Sequence, residues 1–232
     1  MSMDKKQITK LLSFMATFDG GIYKPKGDNA NCMFIMNMRK ENLDYVEWVQ
    51  SVLSEVTGSR LTDRPDYNTD GFTRQPQVRL ESRRHPFLSK LHGRIYVQGK
   101  KIIDPHMLKL LDAEALAIIF MCDGGSGVDS RFKNLHAYIE LHTKAFSYFD
   151  NMALSKAIYE KLGIRTTINR QNQYFYLRVK SADIELFVKT VQPYVLPSFV
   201  YKLERVAPAL PGGDIVCSAS KGVDHGGNDH DL

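Results

Sequence analysis

Leu12-Ser13-Phe14-Met15-Ala16-Thr17-Phe18-Asp19-Gly20-Gly21 and Leu116-Ala117-Ile118-Ile119-Phe120-Met121-Cys122-Asp123-Gly124-Gly125 are two versions of one stretch. Each is an apolar run of about two helical turns that stops at an acid followed by two glycines. The glycines read as left-handed helix stops. The aspartate does not help the helix, because a carboxylate in the last turn faces the negative end of the dipole, at a cost of a few tenths to about 1 kcal/mol. One Asp-Gly is an ordinary turn signal. Two in the same setting, 104 positions apart (123 − 19), ask for another reason. If the two helices pack through small residues, both carboxylates emerge at one end beside unpaired carbonyls. That is a poor structural choice and a good site for a hard divalent cation.

Composition narrows the class. The chain has 232 residues and is 43% apolar, enough core for one large or two small domains. No apolar run is long enough to span a bilayer, and the first residues lack the apolar segment of a secretory signal, so an intracellular protein is expected. Cys32, Cys122 and Cys217 are odd in number and far apart, suggesting buried or incidental thiols and neither disulfides nor zinc. The net charge of +5 favours a polyanionic partner. From Thr57 to Lys101, ten Lys and Arg residues face Asp63, Asp66, Asp70 and Glu81, a local excess of six (10 − 4) and a candidate phosphate-binding surface.

Outward from the two stretches, the same order of elements is predicted twice. In the first unit a helix ends at Phe18, strands follow at 22–24 and 31–38, and an amphipathic helix runs from Glu41 to Val56. Two strands then flank a loop at 63–71, with Gln77, Arg79, Glu81 and Arg83 outward, before a helix opened by Pro86. A basic turn at 98–103 leads to a linker around Asp104-Pro105. In the second unit Asp112 caps a helix over 113–122, and strands are expected at 128–132 and 136–143. A helix over 145–162 carries Met152, Leu154, Ala157, Ile158 and Leu162 inward and ends at Gly163. A hairpin over 164–179 presents Arg165, Thr167, Asn169, Tyr174, Tyr176 and Arg178 outward, and a last helix covers 181–191. Trp48 reads as a packing anchor. The segment 212–232 reads as a mobile tail, in which His225 and His230 among acids could hold a metal weakly.

Two helix motifs ending in Asp-Gly, each opening a helix, two strands, helix, two strands, helix unit, resemble the single-chain LAGLIDADG homing endonucleases over about residues 8–204. The closest local matches are 116–125, 97–101 and 193–203. The resemblance implies an α+β fold of two pseudo-symmetric αββαββα repeats, with two antiparallel DNA-binding sheets and the motif helices packed at the pseudo-dyad. The first repeat would occupy 1–104 (motif helix about 8–19, basic linker about 98–111), the second 112–204, and a flexible tail 205–232. It places the metal-binding acids on Asp19 and Asp123, with the backbone carbonyls of Gly20 and Gly124 nearby, and the basic catalytic residues on Lys101 and Lys202, 101 positions apart (202 − 101).

The family motif carries a second acid two places earlier, where this chain has Thr17 and Met121; the final acid being the metal ligand, cleavage should survive. The expected cofactor is Mg2+, with Mn2+ substituting and Ca2+ binding without cleavage. The expected partner is double-stranded DNA with a long asymmetric site, cut once per strand across the minor groove to leave short 3′ overhangs, by a monomer. Candidate DNA contacts are Gln77, Arg79, Glu81, Arg83 and Arg84 from the first unit, and His136, Tyr138, His142, Arg165, Thr167, Asn169, Tyr176 and Arg178 from the second. The same fold also serves intron RNA maturases and catalytically silent DNA-binding proteins, which remain the alternatives.

Overall fold

Both quoted stretches form helices that end at their aspartates in the computed structural model, which describes residues 3–26, 30–64, 68–69, 72–73, 75–129 and 136–210. In chain order the first repeat comprises α1 (Lys5–Phe18), β1 (Gly21–Tyr23), β2 (Met33–Arg39), α2 (Leu43–Ser54), β3 (Ser59–Arg64), the short pair β4 (Asn68–Thr69) and β5 (Phe72–Thr73), β6 (Gln77–Ser82) and α3 (Pro86–Ile95). The connection contains β7 (Tyr96–Val97), β8 (Lys100–Lys101) and α4 (Pro105–Lys109). The second repeat comprises α5 (Ala113–Asp123), β9 (Gly124–Asp129), β10 (His136–Leu141), α6 (Tyr148–Leu162), β11 (Thr166–Gln171), β12 (Tyr174–Val179), α7 (Ile184–Val191) and α8 (Val200–Glu204).

The two large sheets share one topology. The strand orders β1-β2-β6-β3 and β9-β10-β12-β11 are the same arrangement, antiparallel throughout. Register extends the match to single rows. Gly21, Ile35, Glu81 and Arg60 lie side by side across the first sheet, and Gly125, Glu140, Arg178 and Thr167 across the second. Helices α2 and α3 pack behind the first sheet, and α6 and α7 behind the second. Among the described residues, one face of each sheet is therefore left uncovered by helices.

Helices α1 and α5 pack against each other, and one apolar core runs through both repeats. Every residue from Leu11 to Phe18 and from Ala115 to Met121 is buried. The last half of α1 is thus fully buried, because α5, α2 and α3 surround it.

The glycines differ from expectation. None of Gly20, Gly21, Gly124 and Gly125 is left-handed; each helix passes straight into a strand. What requires glycine is space, since a Cβ on Gly20 would overlap the Phe34 ring and one on Gly124 would overlap Phe120. The strand expected at 128–132 accordingly starts four residues earlier, at Gly124. Residues 130–135 and 211–232, the latter including His225 and His230, lie outside the described residues.

Three further expectations change. Helix α6 starts at Tyr148, not 145, because Ser147 and Asp150 form a reciprocal cap. Met152 is 47% exposed instead of inward; Asn151 takes the buried position, donating to the carbonyls of Phe146 and Ser147. Val206, expected to lie in the tail, is completely buried. Within the basic connection, Gln98 and Gly99 are both left-handed (φ 50° and 76°), as a two-residue hairpin turn demands. That turn projects Lys100 and Lys101, and Tyr96 pairs with Lys101.

Candidate active site

Asp19 caps the end of α1 and Asp123 is the last residue of α5, so the packing of these helices brings the two carboxylates together. Both are half-buried. Burial and then the neighbouring Asp19 charge push the carboxyl of Asp123 up to about 7, against the opposing charges of Lys101 and Lys202. Asp19 is also raised by burial, opposed by a hydrogen bond from Cys122 and by the two lysines.

Each lysine holds the end of the motif helix in its own repeat. Lys101 Nζ donates to the carbonyls of Thr17 (3.1 Å) and Gly20 (2.5 Å). Lys202 Nζ donates to those of Phe120 (3.2 Å) and Met121 (2.7 Å). Thr17 and Met121 both stand two residues before their aspartates, so one contact recurs by pseudo-symmetry. Cations at the C-terminal end of a helix satisfy its last carbonyls and its dipole. Burial lowers the pKa of both lysines while the aspartates raise it. Lys202 is the more enclosed, lying on the rings of Phe120 and Phe199, with its own carbonyl bound by Ser126.

An ammonium has three donors, and each lysine spends two on carbonyls, which leaves one for an incoming anion. Among the described residues no group of three or more His, Cys, Asp or Glu side chains is placed to hold a metal. Two carboxylates that repel each other nevertheless suit a hard divalent cation whose remaining ligands are carbonyl oxygens, water or phosphate. Among the described residues the buried hydroxyl of Thr17, two residues before Asp19, finds no hydrogen-bond partner, as expected where a ligand completes the site. The Gly20 carbonyl is engaged by Lys101. Gly124 faces Leu141 as the wide pair next to the bonded Asp123–His142 pair, so its carbonyl lies outside that ladder.

Sequence reading missed two residues here. Cys122, read as a buried or incidental thiol, lies 3.0 Å from the hydroxyl of Tyr45 and lowers the pKa of Asp19 through a hydrogen bond. Tyr45 is fully buried against Trp48 and Phe199, and burial raises both the phenol and the thiol well above their ordinary values. The adjacency of Cys122 to Asp123 was the one available signal; Tyr45 looked like any apolar helix position.

The predicted DNA contacts fall into three groups. On the open face of the second sheet, Tyr138 lies under Arg178 (5.2 Å to the ring) and His142 leans on Tyr176 and over Gly125. Thr167, Asn169 and His136 share that face, with Lys144, not singled out from sequence, above Tyr176. On the first sheet, Gln77 and Arg79 lie outward as expected, whereas both carboxylate oxygens of Glu81 are taken by Arg60 and Arg79. Arg83 and Arg84 follow the strand end, exposed, with the Arg83 side chain over Gly58. The Arg165 guanidinium is bound side-on by Asp183, whose carboxyl it pulls down to about 2, and it also braces the turn before α7.

Comparison with known proteins agrees with this geometry. A solved structure described as the homing endonuclease I-WcaI bound to its DNA recognition sequence superposes with a TM-score of 0.71 at 25% identity, over 88% of each chain. A probable intron-encoded endonuclease 1 of Wickerhamomyces canadensis is 28% identical over 75% of this chain and 74% of its own length. The cytochrome b mRNA maturase bI2 of Saccharomyces cerevisiae is 27% identical over 80% of this chain, which spans only 44% of that relative. Among the described residues no helix is long and apolar enough to cross a membrane. The model of the LAGLIDADG DNA endonuclease family matches residues 18–187, and with its two repeats, paired motif helices and duplicated aspartates the chain belongs to that family.

Proposed function

We propose that this protein is a site-specific double-strand DNA endonuclease that depends on a divalent cation. The observation that carries this reading is the twofold repetition of one unit, an aspartate at a helix end with a lysine holding the carbonyl two residues before it. A duplex offers two strands related by a local dyad, and a pair of like sites suits one cut in each.

Asp19 and Asp123 would hold Mg2+, with Mn2+ able to replace it and Ca2+ binding without cleavage; the cation supplies Lewis-acid stabilisation of the phosphate and leaving oxygen. The chain's own residues do the rest. Lys101 and Lys202 each point a remaining N–H at a phosphate oxygen, one per strand, and partial burial strengthens that contact by keeping water away. The open faces of the two sheets lie along the major groove on either side of the cut, carrying Gln77, Arg79, Tyr138, His142, Asn169, Tyr176 and Arg178 to base edges. Arg83 and Arg84 hold the backbone. A single chain carries both halves, so a monomer would cut a long asymmetric site across the minor groove and leave short 3′ overhangs.

Incubation with a randomised DNA-site library and Mg2+, alongside Asp19→Asn and Asp123→Asn, tests this. The parent protein should yield one recoverable family of cut sites and the variants none; failure of the parent to cut any site would refute the reading. A second reading, an intron RNA maturase, is favoured by the similarity to the yeast maturase. It predicts tight binding of a structured intron RNA with no cleaved DNA in the same assay.

A further inference from the structure

The open face of the first sheet holds a constellation with no counterpart in the second among the described residues. Both oxygens of Glu81 are occupied: Arg60 donates from Nε and Nη2 to Oε2 at 3.1 and 2.7 Å, and Arg79 from Nε and Nη2 to Oε1 at 2.8 and 2.7 Å. The Glu81 side chain is only 13% exposed, whereas that of Arg60 is 76% exposed. Hydrogen bonds from Arg60 and then Arg79 hold its carboxyl below the usual range, so it stays ionised at neutral pH. In the equivalent row of the second sheet, Glu140 meets Arg178 through one longer contact of 3.5 Å, and Arg178 rests on Tyr138 instead.

The orientation of the guanidiniums matters. Each meets Glu81 side-on, through the Nε–Nη2 edge, which uses two of its five N–H groups. The end-on edge, Nη1 with the remaining Nη2 hydrogen, is left over. That edge fits guanine O6 and N7 bidentately, the commonest specific protein–DNA contact. A carboxylate that fixes the fork beforehand removes the rotational freedom a long side chain would otherwise lose on binding. Two guanidiniums sharing one carboxylate also stand close together, on the order of two base-pair steps.

The geometry points to Arg60 and Arg79 as readers of two nearby guanines in the half-site under the first repeat, with Glu81 as the positioning residue that aims both. This deepens the DNA-endonuclease reading and rests on it. Glu81 then contacts no base, and Arg60, on the edge strand β3, becomes a specificity determinant.

The test uses the cleaved site recovered above and all its single-base-pair variants, scored by competitive binding in chelator so that cleavage plays no part. The parent should prefer guanine about tenfold or more at two positions close together in one half-site. Arg60→Ala should remove one preference and Arg79→Ala the other. Glu81→Gln should weaken both together to about threefold or less, leaving the other half-site unchanged, and Glu140→Gln should leave both intact. Thermal melts of each variant show that the fold is kept; Arg60 is exposed enough that its variant remains informative if Glu81→Gln does not fold. Retention of both preferences in Glu81→Gln would overturn the proposal, as would equal weakening of every sequence by the arginine variants, the mark of phosphate contacts. A parent that binds selectively but never cuts refutes the nuclease reading and leaves this test readable, with the binding site taken from selection; a parent that binds no DNA overturns both.

Discussion

The two ends of the α1–α5 helix pair carry opposite electrostatic arrangements. At the N-terminal end, Lys10 Nζ sits 2.6 Å from Asp112 and 2.8 Å from Glu114, and Gln7 donates to Glu114 at 2.7 Å. Burial alone would lower the Lys10 pKa, but the two carboxylates outweigh it and the net shift is upward. At the other end, two carboxylates face each other, one of them raised to about 7, and a buried threonine hydroxyl has no partner among the described residues. The same two helices thus hold a satisfied charge cluster at one end and an unresolved conflict at the other. Folding stability accounts for the first arrangement. The second makes sense only if something binds there, as strained sites generally do.

The largest expected effect breaks the conflicted end. Asp19→Asn or Asp123→Asn should reduce cleavage of both strands by on the order of 10^3-fold or more, because the two carboxylates are coupled through their charges and act as a unit. Strand-resolved nicking assays check this. If each variant spared one strand, the aspartates would be independent sites that happen to be adjacent.

How far the sequence revealed these ends follows from the kind of signal each left. The conflicted end was legible because it is duplicated: a repeated acid, diglycine and distant lysine survive as spacing even when the flanking residues diverge. The strand faces were legible too, since period-two alternation separates Gln77, Arg79 and Glu81 from Val78 and Leu80 without knowledge of the partner strand. What alternation cannot give is the neighbour. Arg60 sits opposite Glu81 only through the β3–β6 register, Arg165 meets Asp183 across a turn, and Cys122 finds Tyr45 across 77 positions. The diglycines were placed correctly but for the wrong reason, because close packing on Phe34 and Phe120 is invisible in a local pattern.

The satisfied end should respond in stability and not in chemistry. Lys10→Ala leaves Asp112 and Glu114 without their shared cation, and should cost about 3 kcal/mol in denaturant unfolding, the lower end of what breaking a buried pair costs, since Asp112 is half exposed. The kcat of whatever fraction stays folded should be unchanged. A fall in kcat comparable to that of the aspartate variants would show that both ends work together.

Stability against pH separates the ends next. Asp123 has a folded pKa of about 7, above its unfolded value, so the native state keeps a proton that the unfolded chain gives up. Stability without metal should therefore fall as pH rises from about 4 to about 7 and level off above, by about 1–2 kcal/mol once solvent screening of a half-buried group is allowed for. Lys10, with its pKa raised, keeps its full contribution throughout that window and loses it only above its folded pKa. Asp123→Asn should flatten the metal-free curve between pH 4 and 7 and unfold at higher urea at pH 8, whereas Lys10→Ala should shift the curve without changing its shape.

The smallest effect sharpens the comparison within the conflicted end, where the two aspartates are not equivalent. Asp19 receives a hydrogen bond from Cys122 that lowers its pKa, whereas charge from Lys101 and Lys202 is all that opposes the rise at Asp123. Cys122→Ala should let the Asp19 pKa rise further. Cleavage at subsaturating Mg2+ should then drop by about three- to tenfold on the acid side of the profile, with the loss shrinking as pH rises. Cys122→Ser keeps a donor and should restore most of the acid-side rate. A loss of equal size at every pH would assign the thiol to packing against Tyr45, and the inequality between the aspartates to burial alone.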